Sequence, residues 1–140
     1  VQYTFDFIHP CGYRYRLGHL YTLSEKFNTI ANDFPAATAG DSRTNRIEPP
    51  ILINQGEVIA SAVGVTKSQY GPNVFFDFGV YDLLKKNKAS ENSAWAASHD
   101  PELAHTAVCW FSLLPADAEA IVRSLPAGDP ESGKTSDYCS

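Results

Sequence analysis

The chain has 140 residues, of which 44% are hydrophobic and 12% aromatic, a composition that is typical of one globular domain and excludes a disordered protein. A formal net charge of −5 argues against a protein wrapped in nucleic acid over most of its surface, whereas a local basic patch is compatible with it. No segment reaches the roughly 20 apolar residues that a membrane-spanning helix needs, so we expect no membrane partner.

The first 23 residues predict a β-hairpin whose turn lies at residues 9–12. In both strands apolar or aromatic residues alternate with polar ones, which is typical of strands with one buried face. The apolar positions are Tyr3, Phe5, Phe7, Tyr13, Tyr15, Leu17, Tyr21 and Leu23. Because Arg14 and Arg16 lie two residues apart in the second strand, we expect both on the opposite, polar face.

The middle of the chain gives shorter patterns. Residues 25–31 predict a short helix or strand, and the polar stretch 38–46 predicts a mobile connection. Residues 51–53 and 58–66 predict two strands joined by a tight turn at residues 55–56.

A further strand is predicted over residues 74–81, where Val74, Phe76, Phe78 and Val80 alternate with other residues. The small polar run at residues 89–98 then predicts a frayed helix and a linker.

Two helices are predicted at the end of the chain. Asp100 is a suitable N-cap, and Pro101 is suited to the first helical position, so a helix is expected over residues 101–114. Its apolar stripe consists of Leu103, Ala104, Ala107, Val108, Phe111 and Leu114. His105 lies off this stripe and is expected to face solvent, whereas Cys109 is expected in the helix core. A second helix begins at Pro115 and stops at Pro126.

These elements predict an α+β fold, with an N-terminal β-hairpin and antiparallel sheet followed by two C-terminal helices. We expect residues 1–126 to form a single domain and residues 127–140 to form a polar tail. The three cysteines match neither a disulfide scaffold nor a zinc site. Cys139, in the tail, is expected to be exposed and able to link neighbouring chains.

No complete catalytic motif is present, so we expect no enzyme and no cofactor. Residues 128–135 match the phosphate-loop pattern, but a helix precedes them, whereas that motif works between a strand and a helix. The four histidines lack metal-ligand spacing. Asp6 and Asp77 stand on predicted strands and are the acid–base candidates of an alternative reading as a small hydrolase or isomerase.

The basic residues indicate a possible nucleic-acid-binding surface. A sheet face that carries Arg14, Arg16 and Lys67 near a tyrosine is suited to single-stranded RNA, through phosphate contacts and base stacking. Ordinary solubilising charge is the alternative explanation. A β-rich module that binds a small ligand or a protein between aromatic strands is another alternative.

The segments 65–70 (VTKSQY) and 73–81 (NVFFDFGVY) resemble the last two strands of single-stranded RNA bacteriophage (levivirus-type) coat proteins. The order of elements, with an N-terminal hairpin, a sheet and two late helices, is also similar to that family. The resemblance implies a homodimer with interlocked helices, which self-assembles into an icosahedral virus-like particle with an RNA hairpin on the inner sheet face.

By this resemblance the chain is a capsid protein of a virion, assembled in the host cytoplasm. Tyr70 would stack on a base, Asn73 would contact a ribose or base, and Lys67 would contact phosphate. The dimer interface would include Leu103, Ala107, Val108, Phe111 and Leu114, and Cys139 would be available for an inter-subunit disulfide.

Overall fold

The computed structural model describes residues 2–36, 38, 44–64 and 76–124. It confirms an α+β fold with a four-stranded antiparallel sheet, an N-terminal hairpin and C-terminal helices. The main elements are β1 (Tyr3–His9), β2 (Tyr13–Leu23), α1 (Glu25–Asn32), β3 (Ala60–Val63), β4 (Phe78–Asp82), α2 (Ser93–Ser98) and α3 (Ala116–Ser124). Three 3-10 turns, Lys88–Glu91, Ala104–Thr106 and Trp110–Leu113, lie between β4 and α3.

Strand β2 is the centre of the sheet. β1 pairs along one side of it, while β4 pairs with residues 13–17 and β3 with residues 20–23 on the other side. In the hairpin register Asp6 lies opposite Arg16, which confirms that the two strands fold back on each other as predicted. The alternation of side chains therefore gives the sheet one aromatic and one polar face.

A β-bulge interrupts this alternation in β2. Phe5 pairs with Leu17 but Tyr3 pairs with Leu20, so β2 contains one more residue than β1 in this interval. His19, in the bulge, has a φ of 56°, a left-handed conformation that few non-glycine residues adopt.

The bulge reverses which residues of the second half of β2 face the core. Leu20 turns inward and is 2% exposed, whereas Tyr21 is 56% exposed. The predicted inward position of Tyr21 is therefore wrong, because an extra residue in one strand moves the following side chains to the other face.

Helix α1 packs on the aromatic face of the hairpin. Phe27 is 1% exposed, and its ring lies edge-on to Phe5 at 5.1 Å and to Phe7 at 6.1 Å between ring centres. Ile30, one helical turn later, is also buried. The spacing of these two residues gives the helix one apolar side, which resolves the helix-or-strand ambiguity in favour of a helix.

Residues 51–53 do not form the predicted strand. Ile51 and Leu52 are exposed, and in this described part of the chain strand structure begins only at Ala60. The tight turn is present, because the Glu57 N–H donates to the Asn54 carbonyl at 3.1 Å. Lys26 of α1 donates to the Leu52 carbonyl, so a helix side chain fastens this loop where a strand partner was expected.

The predicted strand over residues 74–81 is shorter and shifted. β4 covers Phe78–Asp82, and residues 74 and 75 lie outside the described residues. Val80 is 6% exposed, whereas Phe76, which precedes β4, is 48% exposed.

The predicted helix over residues 101–114 is wrong in its length and type. Asp100 does cap a turn, since its Oδ1 accepts hydrogen bonds from the N–H groups of Glu102 and Leu103 at 2.8 and 2.7 Å. The chain then forms two separate 3-10 turns and no continuous α-helix.

Hydrogen bonds to other parts of the chain explain this break. The Val108 N–H donates to the Val80 carbonyl at 2.8 Å, and Ala107 forms an isolated bridge with Tyr81. The Asn87 side chain donates to the Ala104 and Ala107 carbonyls at 2.7 and 3.1 Å. Backbone groups that a helix would pair internally are thus used by β4 and by Asn87.

The break also corrects two predicted side-chain positions. His105 does not face solvent: it is 7% exposed, and its Nε2 donates to the Ala96 carbonyl at 3.0 Å. Cys109 is not in the middle of a helix but caps the third 3-10 turn, and it is disulfide-bonded. Cys11 is free and exposed. Cys139 lies outside the described residues.

Helix α3 confirms the second predicted helix. Arg123 donates to Glu119 one turn earlier at 2.8 Å, and its guanidinium lies 5.1 Å from the centre of the Phe111 ring. No described residue of α3 is buried, and Ile121 is 63% exposed. Among the described helices, none has both the length and the apolar character required to cross a membrane.

Candidate functional site

The polar face of the sheet, opposite α1, brings together side chains from three strands. We define it by Asp6 of β1, Arg14 and Arg16 of β2, and Gly79 and Tyr81 of β4. The register places Asp6 and Gly79 on either side of Arg16, and Ile8 and Tyr81 on either side of Arg14. Both arginines therefore share one face, as the sequence predicts.

Arg16 forms a two-pronged ion pair with Asp6. Its Nε and Nη2 donate to the two carboxylate oxygens of Asp6, each at 2.8 Å. These hydrogen bonds raise the pKa of Arg16 further above its ordinary value. Because the paired donors match the two oxygens, this arrangement fixes the orientation of both side chains.

Arg14 is held differently. Its Nη1 lies 3.8 Å from Asp6 Oδ2, which is too long for a hydrogen bond. Its Nε is buried without a hydrogen-bond partner. The guanidinium carbon lies 5.6 Å from the centre of the Tyr81 ring, within the range of a cation–π contact.

Tyr81 occupies the space that a side chain at position 79 would need. A Cβ built on Gly79 would collide with the phenol oxygen and ring of Tyr81. The glycine therefore allows the Tyr81 ring to lie along its own strand. The negative charge of Asp77 also favours the protonated form of Arg16.

A second polar cluster surrounds the bulge. His19 Nε2 lies 3.3 Å from Asp77 Oδ2, and His19 Nδ1 lies 2.7 Å from Gln2 Oε1. Gln2 in turn donates to the Gly64 carbonyl at 3.0 Å. Backbone bonds from Gly64 to His19 and from Gly18 to Asp77 complete the cluster, which we call the bulge clasp.

The structure brings together only some of the predicted RNA-binding residues. Arg14 and Arg16 lie on the polar face, whereas Lys67, Tyr70 and Asn73 lie outside the described residues. Gly64 and Asp77 of the bulge clasp flank the part of the chain that carries these three residues. Asp6 was predicted only as an acid–base candidate, and Tyr81 was not predicted as a residue of this site.

The catalytic alternative gains no support from the arrangement of its candidates. Both oxygens of Asp6 are occupied by Arg16, and Asp77 is paired with His19. Two grooves beside α1 are lined by Tyr3 with Asn28 and by Lys26 with Ile51, and neither contains Asp6, Asp77 or a histidine. Within residues 2–36, 38, 44–64 and 76–124, no group of three metal-ligating side chains is found.

The predicted dimer residues lie in the 3-10 region and beside it. Leu103, Val108, Phe111 and Leu114 are half-buried, whereas Ala107 is 4% exposed because it packs within its own chain. The continuous helical stripe that connected these residues is absent from this described region. The interface itself stays a prediction.

Comparison with protein-family models, with curated proteins and with solved structures finds no match to this chain.

Proposed function

We propose that this chain is a structural subunit, similar to the coat proteins of RNA bacteriophages, which self-assembles through an interlocked dimer into an icosahedral shell. Its polar sheet face would meet RNA inside the particle, and its location would be the virion. It would work by association and not by catalysis.

The observation that carries this proposal is the apolar surface that the described chain leaves uncovered. Among the described residues, the buried hydrophobic ones are Leu20, Phe27, Ile30, Val80 and Ala107. Large apolar residues of the same part of the chain that stay at least 36% exposed are Ile8, Tyr13, Tyr15, Tyr21, Ile51, Leu52, Val58, Val63, Phe76, Phe78, Leu83, Leu84, Leu113 and Ile121. So few buried residues beside so much exposed apolar surface, within the described residues, are expected of a subunit that folds against a partner.

Part of this surface is contiguous. Tyr13, Tyr15 and Phe78 lie on the aromatic face of neighbouring strands, and each is 36% exposed. α1 covers another part of this face through Phe27, and Trp110 packs edge-to-face against Phe78, at 4.8 Å between ring centres. A second subunit that packed on this face would bury the three rings.

The two faces of the sheet differ in a way that suits a shell subunit. The aromatic face and the weakly buried α3 offer apolar contacts to other subunits. The polar face carries Arg14 and Arg16 on the opposite side, where contacts to RNA would not compete with assembly. This separation supports the proposal although the net charge is negative, because RNA contact needs only a local basic face.

Size-exclusion chromatography with light scattering, followed by negative-stain microscopy of the largest species, tests the proposal. We expect uniform particles of megadalton mass. A monomer of 15.3 kDa at micromolar concentration would overturn it. A stable dimer that forms no particles would support the dimeric subunit and contradict the proposal of a shell.

A further inference from the structure

The two arginines of the polar face share one carboxylate unequally. Arg16 takes both oxygens of Asp6 at 2.8 Å, whereas Arg14 approaches no closer than 3.8 Å. At Asp6 itself two guanidinium groups meet one carboxylate, and the distances show that the charge of Arg14 is the less closely compensated of the two. Asp77 acts on Arg16 and pairs with His19, so it lies on the other side of the cluster.

The neighbours of Arg14 do not replace the missing acceptor. The register places Ile8 beside it on β1 and Tyr81 beside it on β4. Ile8 has no side-chain acceptor, and Tyr81 presents its ring to the guanidinium. The Nε of Arg14 is buried and makes no hydrogen bond, while 19% of the side chain remains exposed. A guanidinium that is partly exposed and only loosely paired is suited to an oxyanion from outside the chain, which would meet its exposed part.

We infer that Arg14, and not Arg16, is the residue with which the polar face binds a phosphate group, and that this phosphate belongs to the backbone of single-stranded RNA. Arg16 is a positioning residue, because it takes both hydrogen bonds of Asp6 and leaves Arg14 only a longer ion pair with the same carboxylate. The planar guanidinium fits two phosphate oxygens at once. The choice of RNA as the source of the phosphate rests on the proposed function.

Binding of a fluorescein-labelled oligouridine, measured by fluorescence anisotropy over a series of salt concentrations, tests this inference. Arg14→Gln should weaken binding about tenfold and reduce the slope of log affinity against log salt by about 0.7, the value for one phosphate contact to a single strand. Arg46→Gln removes the same charge from the segment before β3, where the Arg46 side chain is 84% exposed, and should bind as the wild type does.

Two further variants separate binding from folding. Arg14→Lys keeps the charge but loses the planar fork, so its affinity should fall between those of wild type and Arg14→Gln. Asp6→Asn releases Arg16 and should strengthen binding, with a steeper salt slope. Circular-dichroism melting curves identify any variant whose loss of binding reflects unfolding.

Each outcome bears on the inference separately from the shell. If Arg14→Gln and Arg46→Gln weakened binding equally, the role of Arg14 would be overturned. Weaker binding by a folded Asp6→Asn variant would overturn it as well. Full displacement of the oligouridine by equimolar inorganic phosphate would overturn RNA as the source. If particles form but Arg14→Gln binds like wild type, the inference fails and the shell stands. If the protein is monomeric but binds through Arg14, the shell fails and the inference stands.

Discussion

At the scale of single residues, Gly79 is the position of β4 where side-chain size matters most. The Tyr81 ring covers it, so even a methyl group would have to displace the tyrosine. The same ring contacts the guanidinium of Arg14. A small residue on one strand thereby controls the arrangement of the whole polar face.

We expect Gly79→Ala to lower the free energy of unfolding by about 1–3 kcal/mol, because overpacking forces neighbouring groups to move. In a Tyr81→Ala background the same change should cost much less, since the colliding ring is gone. Urea unfolding of the four proteins of this cycle measures the coupling. An equal cost in both backgrounds would contradict the assigned contact.

At the scale of elements, the loop before β3 depends on an ion pair with α1. Glu57 pairs with Lys26 and accepts a hydrogen bond from the Asn54 N–H at 3.0 Å. The hydrogen bond from Lys26, and then that from Asn54, lower the pKa of Glu57 below its ordinary value of 4.5. The stabilising contribution is therefore present above pH 4.5 and is lost as the pH falls through the lowered pKa.

Acidification below pH 4.5 should consequently release this loop from α1 before the sheet unfolds. NMR titration of the Asn54 amide shift should report a midpoint below 4.5. Glu57→Gln should remove that transition and leave the chemical shifts of β1 unchanged. A midpoint at or above 4.5 in the wild type would show that Lys26 does not hold Glu57 in solution.

The elements differ in how well they could be predicted from the sequence. The hairpin could be predicted because period-two alternation is a local signal, and its turn at residues 9–12 gives the register that places Asp6 opposite Arg16. Asp6 could therefore have been included in the site. The bulge at His19 has no comparable signal, because Gln2, Gly64 and Asp77, which surround it, come from distant parts of the chain.

The break of the predicted helix after Thr106 likewise depends on residues that are distant in the chain. Residues 101–114 have apolar residues at helical spacing. However, the Val80 carbonyl accepts a hydrogen bond from this segment, and the Asn87 side chain donates hydrogen bonds to it. Thr106 and Val108 are β-branched, which weakens the helical preference that tertiary contacts had to overcome. Tertiary hydrogen bonds thus decided the outcome, and these could not be predicted from the segment itself.

At the scale of the whole molecule, assembly should depend on apolar groups that the single chain leaves uncovered. Ile121 on α3 is 63% exposed, and its neighbour Ala120 is also exposed. Ile121→Lys should abolish particles or dimers in light scattering while changing subunit stability by less than about 0.5 kcal/mol. Ala120→Lys adds the same charge one position away and should assemble normally. Normal assembly of Ile121→Lys would exclude this part of α3 from the interface.

The bulge clasp has a consequence for protein engineering. Gly64 and Asp77 are each bonded to the backbone of β2, so the sheet defines the two attachment points of the twelve residues between them. Foreign peptides grafted between these anchors should therefore leave the sheet folded, which would make this chain a scaffold for peptide display.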